Sequence, residues 1–160
     1  KSYLADAFNV DSKAVDAYIL GEHGDSSFIP WSVANISNVP LADCQKLIVN
    51  SEGVYPELNY DDIETYVRKS GARVIERKGA TFYAISVSVC HIIKCLLGGI
   101  DTTMTVSTMM HGEYGIDDVC LSVLSVVAHG KILVPLTDDE IAKLRHSADC
   151  LKDIIRQVEI

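Results

Sequence analysis

The 160-residue sequence predicts an α+β fold in which long helices pack on small antiparallel sheets. Two patterns carry that expectation. Apolar residues recur at helical spacing across residues 61–78 and from 137 to the chain end, and paired strand-like runs flank polar or glycine-bearing turns at 14–36 and 102–128. A third observation sets the domain count: no repeat, low-complexity tract or linker interrupts the chain, so residues 1–160 read as one domain. A hydrophobic content of 48% with only four prolines argues against disorder.

Residues 1–8 read as the end of a helix stopped by Asn9, which tolerates the left-handed conformation. Residues 14–20 are strand-like and 28–36 form a second extended run, an antiparallel pair with a loop at its tip. A short helix fits 40–50 before Gly53, Pro56 and Asn59 break the pattern. Asp61 or Asp62 opens a long helix through Lys78, with Ile63, Tyr66, Val67, Val74 and Ile75 on one face. Gly71 inside it costs about 1 kcal/mol of helix propensity. After Gly79-Ala80, Thr81 opens a further helix reaching residue 97, and its hydroxyl can cap backbone N–H groups. Residues 102–110 and 119–128 read as a hairpin turned at Gly112 and Gly115, with a short third strand at 131–134 ended by Pro135. Thr137-Asp138-Asp139-Glu140 is a capping box, threonine followed three positions on by glutamate. The helix it opens aligns Ile141, Leu144, Ala148, Leu151, Ile154, Ile155 and Val158 in one stripe assigned to core packing.

The stretch with the most chemistry is Gly21-Glu22-His23-Gly24-Asp25-Ser26-Ser27, directly after the apolar run 17–20. Glycines on both sides free the backbone for unusual conformations and allow a small molecule to approach. Imidazole titrates near neutral pH, so His23 in such a loop suits a general acid or base. On the residues alone a second reading stands beside it: a surface turn in which Glu22, Asp25 and Ser26 are simply solvated.

The other candidate groups carry less. His91 lies in an apolar helical run and reads as a hydrogen-bonded core residue; His111, His129 and His146 lack glycine and carboxylate framing. No histidine pair has metal-ligand spacing, so no metal is expected. The five cysteines, Cys44, Cys90, Cys95, Cys120 and Cys150, form no C-x-x-C, and Cys90, Cys95 and Cys120 sit in apolar runs as small hydrophobes. Free thiols, no secretory signal and no apolar run of about 20 residues point to the cytoplasm and away from a membrane. The formal charge of −8 argues against nucleic acid and anionic membrane as partners. Arg68, Arg73, Arg77, Arg145 and Arg156 lie in helical context and are assigned to surface salt bridges.

Ile19-Leu20-Gly21-Glu22-His23-Gly24-Asp25-Ser26, followed by Pro30-Trp31-Ser32, resembles the active-site motif of the L-lactate dehydrogenases. Lys78-Gly79-Ala80-Thr81-Phe82-Tyr83-Ala84-Ile85 resembles a second segment of that family. Gly112-Glu113-Tyr114-Gly115-Ile116-Asp117-Asp118-Val119 is similar to the turn between two of its late strands, and residues 136–152 to its last helix. These matches fall in family order over nearly the whole chain. The sequence is thereby identified as a member of the lactate/malate dehydrogenase family, in its C-terminal substrate domain.

The resemblance implies a fold and a chemistry. The fold is the family's C-terminal α+β domain, and the parent reaction interconverts pyruvate and (S)-lactate with NAD(H). His23 would exchange the proton, Thr81 would line the substrate pocket, and Ile85 would pack near the nicotinamide. The partners expected are a small 2-hydroxy or 2-keto acid and further copies of the chain, as a homo-oligomer that is a tetramer in the intact enzyme. No Gly-x-Gly-x-x-Gly occurs in the sequence, so the dinucleotide-binding (Rossmann) domain is expected to lie outside this chain, and the chain alone to be inactive. The arginine that grips the substrate carboxylate, and the aspartate that orients the histidine, would lie there too. The positions that bind fructose 1,6-bisphosphate in activated bacterial members align with Lys1 and Asp16; Asp16 would repel a phosphate, so weak or no activation is expected. Glu22, where malate dehydrogenases carry glycine, favours lactate. A hydroxyisocaproate or malate dehydrogenase of the same family, and a non-catalytic oligomerisation module, are the alternatives.

Overall fold

The computed structural model describes residues 1–50, 52–127 and 129–158. Its strands form two separate three-stranded antiparallel sheets, each with its own apolar core. The first joins β1 (Val15–Asp16), β2 (Asn35–Ile36) and β3 (Val39–Pro40). It is flanked by helices α1 (Ser2–Phe8), α2 (Leu41–Leu47) and α3 (Tyr60–Arg68). Leu4, Phe8, Val15, Ile36, Leu41 and Ile63 are the centre of that core. Asn9 stops α1 at φ 53°, as its side chain predicts.

The second sheet joins β4 (Thr103–His111), β5 (Asp117–Val126) and β6 (Gly130–Lys131). Helix α6 (Asp138–Val158) packs Leu144 and Ala148 against Met110, Leu121 and Val123. The hairpin register runs from Thr103↔Val126 to Met109↔Cys120 before a bulge shifts it to His111↔Asp117. In the turn, the His111 backbone N–H and the Lys131 ammonium hold the Glu113 carboxyl down to about 2. The capping box is reciprocal: Thr137 Oγ1 accepts from the Glu140 N–H, and Glu140 Oε2 accepts from the Thr137 N–H. The helix-and-sheet class expected from the sequence is the class observed. Two expected elements end at residues outside the described set, the strand at Ala128 and the last helix at 159–160.

Several local expectations differ from the structure. The first extended pair is short, because Pro30 cannot donate to a ladder and a 3-10 turn, Trp31–Val33, follows it. The third strand of the second sheet spans Gly130–Lys131, and one further backbone bond, from the Ile132 N–H to the Leu124 carbonyl at 2.8 Å, continues it. The long helix expected over 61–78 is two helices, α3 and α4 (Ser70–Lys78), broken at Lys69 with ψ −4°. There the Ser70 hydroxyl and Arg73 both donate to the Tyr66 carbonyl, at 2.7 and 2.8 Å, and side-chain bonding of that kind bends helices. Nothing in the structure explains the glycine at 71, which has open space around it.

Helix α5 (Phe82–Gly98) departs most from the expectation of burial. It is apolar on nearly every face, yet Cys95 is its only buried residue. His91 is therefore exposed rather than in a core, with Cys95 Sγ 3.9 Å from its Nε2. Cys90 and Cys120 are exposed too, so they are not the small core hydrophobes their neighbours suggest. The stripe on α6 is buried only in its first half; Ile154, Ile155 and Val158 are exposed. Of the five arginines, Arg68 and Arg156 form ion pairs, with Glu64 and Asp153. Arg73 instead lies over the Tyr66 ring at 3.8 Å, and Arg145 donates to the Tyr114 carbonyl. Among the described residues, no helix is long and apolar enough to cross a membrane.

Candidate active site

The His23 loop leaves the first half of the molecule and docks on the second. Leu20 and Phe28 exchange two backbone hydrogen bonds, 2.9 and 3.1 Å, and both side chains are buried in the core beneath the second sheet. One residue on, Gly21 exchanges backbone bonds of 3.0 and 2.7 Å with Ser122 of β5. The loop stem is thus clamped on both sides by backbone pairing. Gly21 has φ +99°, and a Cβ there would stand 2.6 Å from Ser147 Oγ of α6. Both the conformation and the close approach require glycine at that position.

Beyond the stem, side chains shape the loop. The Glu22 N–H donates to Ser147 Oγ at 2.7 Å, and Glu22 Oε1 accepts from the Ser26 N–H at 3.0 Å and the Ser26 hydroxyl at 2.6 Å. Ser26 Oγ and Ser147 Oγ are 2.9 Å apart. Ser27 closes the turn by donating its N–H and hydroxyl to the Gly24 carbonyl, at 3.2 and 2.8 Å. From α3, Arg68 donates to the Asp25 carbonyl at 3.4 Å and pairs with Glu64 at 2.8 Å. Glu64 is buried, and its other oxygen accepts from the Trp31 indole and the Ile29 N–H. The flanking carboxylate at Glu22 therefore folds across the loop to Ser26 rather than serving His23.

His23 is exposed at the tip, and among the described residues its ring enters no hydrogen bond. Its neighbours are held, while the imidazole stays open to a ligand, an arrangement that suits proton exchange with a bound molecule. Thr81 occupies the N-cap position of α5, as expected, but its side chain makes no capping hydrogen bond. The hydroxyl is left for another partner. Ile85, four residues along, shares its helix face and is exposed. Among the described residues no hydrogen bond joins the His23 loop to α5. Two concavities lie elsewhere among the described residues, one between the Ser26–Ser27 edge of the loop, Arg68, Lys143 and His146, the other over Tyr66, Arg73 and Arg77. Neither is lined by His23, Thr81 or Ile85. Among the described residues no group of three or more His, Cys, Asp or Glu side chains could hold a metal ion.

Ser147 and Glu64 escape the sequence reading, which gives Arg68 only the salt bridge that it does form with Glu64. Ser147 is fully buried on the apolar stripe of α6, where a lone hydroxyl between Leu144 and Leu151 was the available signal. Glu64 and Arg68 stand at i,i+4 spacing, which suggests an ordinary helix pair and conceals the bonds to Trp31 and the Asp25 carbonyl.

The family model for the lactate/malate dehydrogenase alpha/beta C-terminal domain matches residues 1–160. An L-lactate dehydrogenase of Thermoanaerobacterium saccharolyticum is 36% identical over 157 residues, covering 95% of this chain and 49% of that protein. L-lactate dehydrogenase 2 of Clostridium acetobutylicum is 37% identical over 160 residues, 98% of this chain and 49% of that protein. The solved L-lactate dehydrogenase of Clostridium thermocellum superposes with TM-score 0.83 at 34% identity, covering 99% of this chain and 52% of that one. A malate dehydrogenase of Plasmodium falciparum superposes equally well, TM-score 0.83, but at 21% identity supports the fold alone. The chain spans about half the length of the relatives it matches.

Proposed function

Because the chain belongs to the lactate/malate dehydrogenase family, as its alpha/beta C-terminal domain, we propose that it is the substrate half of an NAD-dependent L-lactate dehydrogenase. The observation that carries this reading is the exposed imidazole of His23 on a loop held at both ends. Reduction of a 2-keto acid needs a proton at the carbonyl oxygen as negative charge develops there. His23 as imidazolium donates that proton and its charge stabilises the forming alkoxide; as neutral imidazole it takes the hydroxyl proton in the reverse direction. The Thr81 hydroxyl, free of any cap bond, faces the substrate, and Ile85 on the same helix face shields the cofactor ring from water. When bound, a nicotinamide would supply the hydride or accept it. The exposed apolar side chain of Ile85 suits the flat face of such a ring, whereas this chain carries no Gly-x-Gly-x-x-Gly for the pyrophosphate.

Glu22 supports lactate over malate with a physical reason. Its carboxylate closes the loop on Ser26, and the glycine that malate dehydrogenases carry there makes no such bond. The five free cysteines support a reducing, cytoplasmic setting. The apolar surface of α5 supports association, in the intact enzyme as a homotetramer. The direct test joins this chain to the dinucleotide-binding half of the protein and compares pyruvate, oxaloacetate and 2-oxoisocaproate with NADH. Pyruvate should have the highest kcat/KM; a preference for either of the others reassigns the substrate, and no reduction of any of them leaves an assembly role.

Two further outcomes are expected. Thr81→Ala should raise KM for pyruvate several-fold and leave the melting temperature unchanged, since removal of a working cap costs about 1 kcal/mol and no cap bond exists to lose. A fall in melting temperature with unaltered kinetics would return Thr81 to a helix-start role. At the positions that align with the effector site of activated bacterial relatives, Lys1 Nζ is paired with Asp16 Oδ1 at 3.2 Å. With that cation engaged and a carboxylate beside it, sub-millimolar fructose 1,6-bisphosphate should leave the saturation curve for pyruvate unchanged; activation would show that the pair opens.

A further inference from the structure

We infer that Ser147 of α6 is a positioning residue that fixes the loop carrying His23, acting through a closed hydrogen-bond ring with Glu22 and Ser26; the inference rests on the acid–base reading of His23. The donors can be assigned by elimination. Glu22 Oε1 lies 2.6 Å from Ser26 Oγ and, as a carboxylate oxygen, can only accept, so the Ser26 proton is committed to it. Ser147 Oγ accepts the Glu22 N–H at 2.7 Å, which leaves its own proton for Ser26 Oγ at 2.9 Å. The ring runs from the Glu22 N–H to Ser147, to Ser26, and back to the Glu22 carboxylate. Bonds in such a chain polarise one another in the same direction.

The placement of the ring is what concerns His23. It joins residues 22 and 26, and the three residues between them, His23, Gly24 and Asp25, are the exposed part of the loop. Ser147 is fully buried, and its helix neighbours Leu144 and Ala148 are fixed in the second core, so the ring ties the loop to a rigid element. Gly21 permits α6 to come this close, since a Cβ there would stand 2.6 Å from Ser147 Oγ. Among the described residues the other side-chain hydrogen bond to the 22–26 segment from outside it, Arg68 to the Asp25 carbonyl, is longer at 3.4 Å and exposed.

The test has two readouts. In the isolated chain, backbone 15N relaxation should show His23 and Gly24 as rigid as the strands, and Ser147→Ala should release both while leaving β4 and β5 unchanged. In the protein assembled for pyruvate reduction, Ser147→Ala should lower kcat by about 10- to 100-fold with KM moving less than about threefold, the cost of a misaimed group. Ser26→Ala, at a half-buried site that tolerates the change, should reproduce the kcat loss, and Ser26→Thr, which keeps the hydroxyl, should restore most of it. Unaltered loop relaxation in Ser147→Ala, or equal losses in Ser26→Ala and Ser26→Thr, would overturn the inference. If His23→Gln abolishes turnover but Ser147→Ala and Ser26→Ala do not lower kcat, the ring is structural only and the reading of His23 stands. If His23→Gln retains turnover, both fall.

Discussion

Replacing His23 with glutamine is expected to lower kcat for pyruvate reduction by about 10²- to 10⁴-fold in the assembled enzyme, the usual contribution of a positioned general acid. Glutamine keeps a polar side chain of similar reach but cannot exchange a proton near neutral pH. The change should cost almost no stability, because the ring is exposed and, among the described residues, takes part in no hydrogen bond. Cofactor affinity should also hold, since the loop is shaped by Glu22, Ser26, Ser27 and Ser147 rather than by the imidazole. Steady-state kinetics, a titration of NADH fluorescence and a melting curve on the same preparation separate these effects. Near-wild-type turnover would remove His23 from the chemistry, whereas a lower melting temperature with lost NADH binding would make it structural.

Legibility in the sequence followed the range of the interactions. The loop, its glycines and the capping box at Thr137 are written in contiguous residues, and each appears in the structure where the sequence places it. Ser147 is different, because its bond to Glu22 spans 125 positions and exists only once α6 lies against the loop. Glu64 is intermediate: its pairing with Arg68 is local, but its role as acceptor for Trp31 depends on how α3 meets the turn after Pro30. The break at Lys69 is hidden in the sequence because apolar periodicity continues across it; its one local signal is Ser70, placed to bond back to the Tyr66 carbonyl. Helix α5 shows the opposite limit. Its composition states that it belongs in an apolar environment, but burial depends on surfaces that this chain does not itself present to it.

Glu140 should carry the largest stability effect outside the site. Its carboxylate accepts from the Ser32 N–H at 3.0 Å, from the Ser32 hydroxyl and from the Thr137 N–H at 3.0 Å, while its own N–H is capped by Thr137. It is buried, so it joins the start of α6 to the turn at Trp31–Val33 in the other half of the molecule. Glu140→Ala strips a capping box and removes the acceptor for Ser32 and Thr137, whose freed donors can turn to water, a loss of about 1–2 kcal/mol. For a domain of this size that lowers the melting temperature by roughly 2–8 °C. The pH dependence gives an independent check. Burial alone would push the Glu140 carboxyl up, but hydrogen bonds from Ser32 and Thr137 outweigh it and hold the group below the usual carboxylate range. A carboxyl depressed in the folded state stabilises above its unfolded value, near about 4.3, and loses that contribution as pH falls through the folded one. The gap in melting temperature between wild type and Glu140→Ala should therefore be full at pH 7 and begin to close below pH of about 4. A gap independent of pH would assign the loss to packing rather than to the charge. Because Glu140 anchors the first turn of α6 and Ser147 lies some two turns further along it, the two substitutions should separate: Glu140→Ala lowers stability with kcat retained well below the melting temperature, whereas Ser147→Ala lowers kcat even there. If Glu140→Ala also lowers kcat in the cold, the whole helix, and not the Ser147 ring alone, sets the direction of His23.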